Sequence, residues 1–312
     1  MEDKISVFFS ADENYARYCA TTILSILDNT SSPEKLEFHI LSPDITQENT
    51  QKFRRICAEF NAQISVIHID MSLFSSLPEL LHLSLNAYSR LLIPDLCEKE
   101  KIIYLDCDLI VLGDILELFQ CELGGKPIGS VPHVQFPYQD FFKQNFDVQG
   151  DDICFNSGVM LIDTAYWRER GYVKKVLKCA EKYSSKLHFG DQDALNAIFW
   201  RNYCHLLGVW NVETRLYKEK LLGLPQNEEI TKRMQNPKII HYTGADKPWA
   251  SKKYVPMRHL YTYYSKQLSQ KFSWYPSKDE PKQCTISSFL NFAWSCLYFR
   301  TSYNINKIFY KS

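Results

Sequence analysis

Short apolar runs separated by longer amphipathic stretches set the rhythm of this chain. Residues 5–9 (ISVFF), 36–41, 64–67, 101–105, 128–131, 159–162 and 238–240 read as strands. Between them, apolar positions recur at helical spacing over residues 15–28 and 46–60. A short helix over 85–94 is expected to end at Pro94, and Asp114 is placed to cap a helix after Gly113. Residues 109–112 continue extended past the strand at 101–105. Gly190-Asp191-Gln192-Asp193 opens a further helix to about residue 200, with Asp191 as its default N-cap. Strands alternating with helices at this spacing imply a parallel, doubly wound α/β sheet.

Ligands of such sheets collect at the carboxyl ends of the strands. There the run Lys101-Ile102-Ile103-Tyr104-Leu105 ends in Asp106-Cys107-Asp108. Two carboxylates one residue apart cannot both be buried without a countercharge, and a hard divalent cation is the obvious one, although the pair could equally polarise a turn. Arg90 stands in an otherwise apolar segment and needs a partner, with Asp95 or another carboxylate as the structural choice. The turn after the first strand lacks G-x-G-x-x-G and any P-loop, and offers Asp12, Asn14 and Tyr15 instead. Those three suit a nucleobase by hydrogen bonding and stacking, while Asp12 and Asn14 are also ordinary helix caps. Phe155-Asn156-Ser157-Gly158 reads as a polar turn before a buried strand, with Asn156 suited to hold a sugar hydroxyl. The strand at 238–240 delivers His241, a candidate metal ligand, followed by the Gly244 turn and by Lys247, which can reach phosphate. Residues 132–146 form an aromatic loop long enough to be a substrate-covering flap.

Composition narrows the field. At 312 residues, with 45% apolar and 23% charged residues, the chain can bury one large α/β core and carry an appendage. Zero formal net charge argues against a dedicated nucleic-acid binder. The neutrality is uneven: from residue 252 onward ten Lys/Arg face only Asp279 and Glu280, leaving that part at +8 and the rest at −8. The ten cysteines include no C-x-x-C pair and read as reduced core residues of a cytosolic protein. The N-terminal apolar run is too short for a signal-peptide core, and residues 286–299, broken by Ser and Asn, are too few to span a bilayer.

Taken in order, Phe9-Ser10-Ala11-Asp12-Glu13-Asn14-Tyr15, Ala87-Tyr88-Ser89-Arg90-Leu91, Tyr104-Leu105-Asp106-Cys107-Asp108, Phe155-Asn156-Ser157-Gly158, Asp191-Gln192-Asp193 and the stretch from His241 to Trp249 resemble glycosyltransferase family 8. Within it, the bacterial lipooligosaccharide α-galactosyltransferases are most similar. The resemblance covers about residues 5–250 and implies a glycosyltransferase-A fold, a bound Mn²⁺ (or Mg²⁺), a UDP-sugar donor and retention of anomeric configuration. It makes Asp106, Asp108 and His241 the metal ligands. It puts Asp12, Asn14 and Tyr15 on uridine, Gly244 and Lys247 on the diphosphate, and Arg90, Asn156 and Asp191 on the donor sugar. Ala11, Cys107 and Ser157 join the donor contacts, and Gln192 lies beside the anomeric carbon with Asp191 at its side. Relatives carry an acidic residue shortly after the strand at 128–131, where this chain has Val131-Pro132-His133, so the acceptor subsite departs from the pattern.

The expected catalytic domain is therefore 1–250, and residues 251–312 form a basic, aromatic segment suited to the anionic inner face of the cell membrane. Its aromatic residues, among them Phe272, Trp274, Phe289, Phe292, Trp294 and Phe299, either meet lipid or pack back on the catalytic domain. The expected enzyme is cytoplasmic and peripheral to the membrane, moving galactose or glucose from a UDP-hexose to a saccharide or glycolipid acceptor, with no nucleic acid. A metal-dependent phosphohydrolase and an inactive nucleotide-sugar-binding protein are the competing readings.

Overall fold

A computed structural model describes residues 4–77, 85–133, 139–146, 153–221 and 227–276. Its main sheet has seven strands in the order β3-β2-β1-β4-β7-β6-β8: β1 (Ile5–Ser10), β2 (Leu36–Ser42), β3 (Gln63–His68), β4 (Lys101–Leu105), β6 (Ile128–Pro132), β7 (Phe155–Asp163) and β8 (Cys204–His205). All run parallel except β7, which pairs antiparallel with both β4 and β6. A smaller sheet places β10 (Ile239–His241) between β5 (Leu109–Val111) and β9 (Val212–Glu213). The result is a mixed, mostly parallel sheet flanked by helices; the alternation predicts the parallel strands, and the antiparallel β7 departs from it.

Alternation along each central strand divides the core in two. Val7, Phe9, Ile103, Leu105, Val159 and Leu161 face one layer, and Phe8, Ile102, Tyr104, Met160 and Ile162 face the other. The first layer is covered by helices Ala16–Asn29, Gln47–Glu59 and Arg258–Phe272, the second by Tyr172–Lys182 and Asp191–Phe199. Buried on both faces, these strands need near-continuous apolar sequence, which is why they were visible.

Several local expectations need correction. Residues 155–158 are not a turn but the start of β7, where the strand bulges: Ser130 and Val131 of β6 face Met160 and Asn156, leaving residues 157–159 without partners on β6. Ser130 Oγ lies 2.8 Å from Asn156 O and 2.9 Å from Val159 O and stitches the bulge. Pro94 does not end its helix. The 3₁₀ turn Leu85–Leu92 runs on into Ile93–Leu96 with Pro94 in the first turn, where its missing N–H leaves no helical bond unmade. Half of the anticipated flap is a helix, Gln139–Phe146, and Phe142 is buried with its ring stacked on Trp200 at 5.5 Å.

The chain after residue 250 continues the first core. Leu260, Tyr261, Tyr264, Leu268, Phe272 and Trp274 are all buried in it, and Trp274 meets Phe53 edge-on at 4.9 Å. Arg17, itself buried, donates from Nε to Trp274 O at 3.2 Å. Phe272 and Trp274 are thus packing residues. Phe289, Phe292, Trp294 and Phe299 lie outside the described residues. Among the described residues no helix is long and apolar enough to cross a membrane, and all eight cysteines are free of disulfides.

Candidate active site

β4 stops at Leu105 and β5 begins at Leu109, so Asp106 and Asp108 occupy the step between the two sheets. β10 pairs antiparallel with β5, and Tyr242 N donates to Asp108 O at 3.0 Å, which brings His241 over the pair. His241 Nε2 lies 3.2 Å from Asp108 Oδ1 and 3.8 Å from Asp106 Oδ2. One ligand atom from each of the three residues falls within 4.8 Å of the others, a span one divalent ion can bridge. Gly158 makes room for this. A Cβ there would stand 2.3 Å from His241 Cε1 and 2.7 Å from Asp106 Oδ2, so any side chain would break the cluster. Two carboxylates and an imidazole form a mixed oxygen and nitrogen donor set, and the residues present fit a divalent metal.

The charges explain the geometry. Burial raises the Asp108 carboxyl, but Lys247 and His241 outweigh it and hold the group well below the usual carboxylate range. Lys247 Nζ rests against Asp108 Oδ2 and donates to Tyr242 O at 2.8 Å. For His241, burial lowers the ring's proton affinity and Asp108 and Asp106 more than restore it.

Arg90 holds the other side together. Its partners are Asp106 (Nη1 to Oδ1, 3.0 Å) and Asp191 (Nε to Oδ2, 2.9 Å), while Asp95 is exposed. Its guanidinium stacks 4.5 Å over Tyr104, whose hydroxyl donates to Asp106 Oδ1 at 2.9 Å. Asp191 does not cap its helix; Gly190 takes the N-cap position without a side-chain bond, and Asp191 turns to Arg90. Burial pushes the Asp191 carboxyl up to about 6, against the pull of Arg90 and with a further push from Asp106. Asp193 accepts from the backbone N–H groups of His188 and Phe189 at 2.7 and 2.9 Å. Gln192 Oε1 accepts from Ser157 N at 3.0 Å, a contact the β7 bulge makes possible.

Arg90, Asp106, Asp108, Asn156, Ser157, Asp191, Gln192, His241 and Lys247 therefore belong to one connected cluster. Asp12, Asn14 and Tyr15 lie at its edge. Asp12 does cap, accepting from Tyr15 N at 2.9 Å, while the Tyr15 ring, 38% exposed, stands edge-on to Trp249 at 6.0 Å. Ala11 and Cys107 are buried, so only their backbones can reach a ligand. Gly244 adopts a φ of +80° in the turn before Lys247.

Sequence reasoning missed two residues. Asn211 contacts His241 and Asn156, and the strand β9 that it precedes is two residues long, too short to carry a pattern. Glu213 meets His133, the residue that departs from the family pattern, at 2.9 Å, and Arg215 at 2.9 Å. Burial raises the Glu213 carboxyl, yet His133 and Arg215 together keep it well below the usual range.

A mostly parallel sheet with an acidic pair and a histidine at its strand ends, placed so that they could hold one metal ion, is the arrangement of a glycosyltransferase-A fold. The family model for glycosyl transferase family 8 matches residues 6–253, and the chain belongs to that family. General stress protein A of Bacillus subtilis is 30% identical over 81% of this chain and 90% of its own length. Glycosyltransferase GlyF of Streptococcus pneumoniae is 31% identical over 83% of this chain, which spans 61% of that relative. Among solved structures, the galactosyltransferase LgtC, in complex with donor and acceptor sugar analogues, superposes with a TM-score of 0.74 over 85% of this chain and 97% of its own at 24% identity, a likeness of fold.

Proposed function

We propose that this glycosyltransferase moves galactose or glucose from a UDP-sugar to a saccharide or glycolipid acceptor with retention of configuration, using Mn²⁺ at Asp106, Asp108 and His241. The observation that carries the reading is the junction of two clusters: the three potential ligands share Asp106 with the Arg90–Asp191 pair, so a leaving-group site and a sugar site meet at one carboxylate. When bound, the ion would supply positive charge against the departing diphosphate.

The chain's own residues do the rest. Lys247 follows the Gly244 turn and can swing its ammonium from Asp108 to a phosphate oxygen. Tyr15, 38% exposed, offers its ring to uracil, and Asp12, Asn14 and the Ala11 and Cys107 backbones serve the same nucleotide. Asn156 Oδ1 already accepts from Gly158 N at 2.9 Å, which leaves the Asn156 amide N–H as the donor for a sugar hydroxyl. Arg90 and Asp191 border the same space. Retention by a covalent intermediate would need a free carboxylate nucleophile, but Asp191 is held by Arg90 and Asp193 by two backbone N–H groups, while Gln192 is an amide. Those contacts support front-face attack, with a leaving phosphate oxygen taking the acceptor's proton. The same reading puts the enzyme in the cytoplasm, with residues 277–312 resting on the inner membrane face.

Purified protein mixed with UDP-galactose or UDP-glucose, with and without Mn²⁺, and assayed for UDP, tests this. Metal-dependent UDP release from one of the two sugars is the expected result. Tight donor binding without release would leave a nucleotide-sugar-binding protein, and phosphate release without sugar transfer would mark a phosphohydrolase.

A further inference from the structure

We propose that Asn211 is a positioning residue that sets the tautomer of His241 so that its Nε2 lone pair faces Asp106 and Asp108, an inference that rests on the metal reading above. The argument starts from a group whose role is not in question. The backbone N–H of Gly158 can only donate, and it meets a side-chain atom of Asn156 at 2.9 Å, so that atom is the carbonyl oxygen Oδ1. The same oxygen meets Asn211 at 2.9 Å, so Asn211 turns its NH₂ to Asn156. Its own Oδ1 is then the atom 2.9 Å from His241 Nδ1, and that nitrogen must carry the proton. In the neutral ring Nε2 is therefore bare, 3.2 Å from Asp108 Oδ1 and 3.8 Å from Asp106 Oδ2.

Burial makes the relay strict. Asn211 is 3% exposed and His241 3%, so water does not compete for either contact. Val212 and Glu213 pair with Ile240 and His241, so Asn211 immediately precedes the strand that holds β10 in register. A side chain of this kind, bonded to the far nitrogen of a ligand histidine, typically changes metal affinity about 10- to 100-fold when removed. The bulge in β7 that presents Asn156 and Gly158 thereby gains a second role, since it also starts the chain of donors that orients His241.

The test is long-range ¹H–¹⁵N correlation on metal-free, ¹⁵N-labelled protein at a pH where the ring is neutral, with the His241 signals identified by their loss in His241→Gln. The expected result is a protonated Nδ1 and a bare Nε2. Asn211→Leu is expected to shift the proton to Nε2 and weaken Mn²⁺ binding by calorimetry about tenfold. Asn211→Asp keeps an acceptor at Nδ1 and is expected to keep the tautomer. A wild-type ring protonated on Nε2 would overturn the proposal without any variant, as would an Asn211→Leu protein with an unchanged tautomer. If the tautomer is as expected but wild-type protein binds no Mn²⁺, the metal reading fails and the Asn211 assignment stands.

Discussion

Lys247 lies against Asp108, on the carboxylate oxygen opposite the one that faces His241 Nε2. A divalent ion arriving at Asp108 meets an ammonium already neutralising it, so the two compete for one charge. A diphosphate reverses the relation, because it gives Lys247 a new anion and frees Asp108 for the metal. Lys247→Met should therefore tighten Mn²⁺ binding in the absence of nucleotide by up to about tenfold, one charge contact of about 1.4 kcal/mol. The same variant should weaken UDP binding in the presence of Mn²⁺. Calorimetric titrations in which both affinities stay put would show that Lys247 serves neither partner.

The ligands themselves give a sharper contrast. Asp106→Asn and Asp108→Asn each remove one anion from a site that must offset a divalent charge, and Mn²⁺-dependent UDP affinity should disappear in both. Asp106→Asn should also loosen Arg90 and Tyr104, which both bond to Asp106 Oδ1, and Asp108→Asn should release Lys247. Manganese titrations that leave UDP affinity intact in both variants would remove the metal assignment.

Most of the strands and six collinear motifs could be read in the sequence because buried strands need uninterrupted apolar runs and because Asp106, Asp108 and His241 follow such runs directly. What could not be read depends on contacts between distant segments. Arg90 sits 16 residues before Asp106 and 101 before Asp191, and no local pattern chooses them over the nearby Asp95. The β7 bulge is a register shift against β6, a property of the pair and not of either strand. Asn211 precedes, and Glu213 ends, a strand of only two residues that is set beside the site by its pairing with β10.

Gln192 accepts from Ser157 N and borders Asp191, so its position is set before any ligand arrives. A group held in this way contributes mainly when positive charge develops on the sugar, and Gln192→Ala should lower kcat about a hundredfold with little change in donor KM. A raised KM with kcat preserved would make Gln192 a binding residue.

Asp191 carries a pH signature. Its carboxyl titrates near 6 in the folded protein, against about 3.9 in an unfolded chain. The native state thus binds more protons between those values, and this group's contribution to stability is complete below about 3.9 and lost as pH rises through 6. Relative to Asp191→Asn, which does not titrate, wild-type stability should fall by about 2–3 kcal/mol between pH 4 and pH 7. Urea unfolding of both proteins in EDTA measures the difference, and a gap that does not change with pH would place the Asp191 carboxyl at an ordinary value.

The last prediction separates the fold from the membrane. Six large residues of the stretch 258–274 are buried, each contributing about 1.5–3 kcal/mol, so a chain cut after residue 257 loses about as much as a domain's whole stability of roughly 5–15 kcal/mol and should not fold. A chain cut after residue 276 keeps Trp274 on Phe53 and Arg17, and should melt within a few degrees of the full length. Five of the ten basic residues after 251, Lys252, Lys253, Arg258, Lys266 and Lys271, stay on that folded part, so residues 277–312 carry only five against Asp279 and Glu280. At about 1 kcal/mol per basic group, that charge alone gives weak, salt-sensitive binding, and the aromatic run from Phe289 to Phe299 must add the apolar contact. Full-length protein should therefore sediment with anionic liposomes at low salt, less at high salt, while the chain cut after 276 stays in the supernatant. A shortened chain that still sediments would move the membrane face to the basic residues of the folded part, and a full-length chain that ignores the vesicles would remove it altogether.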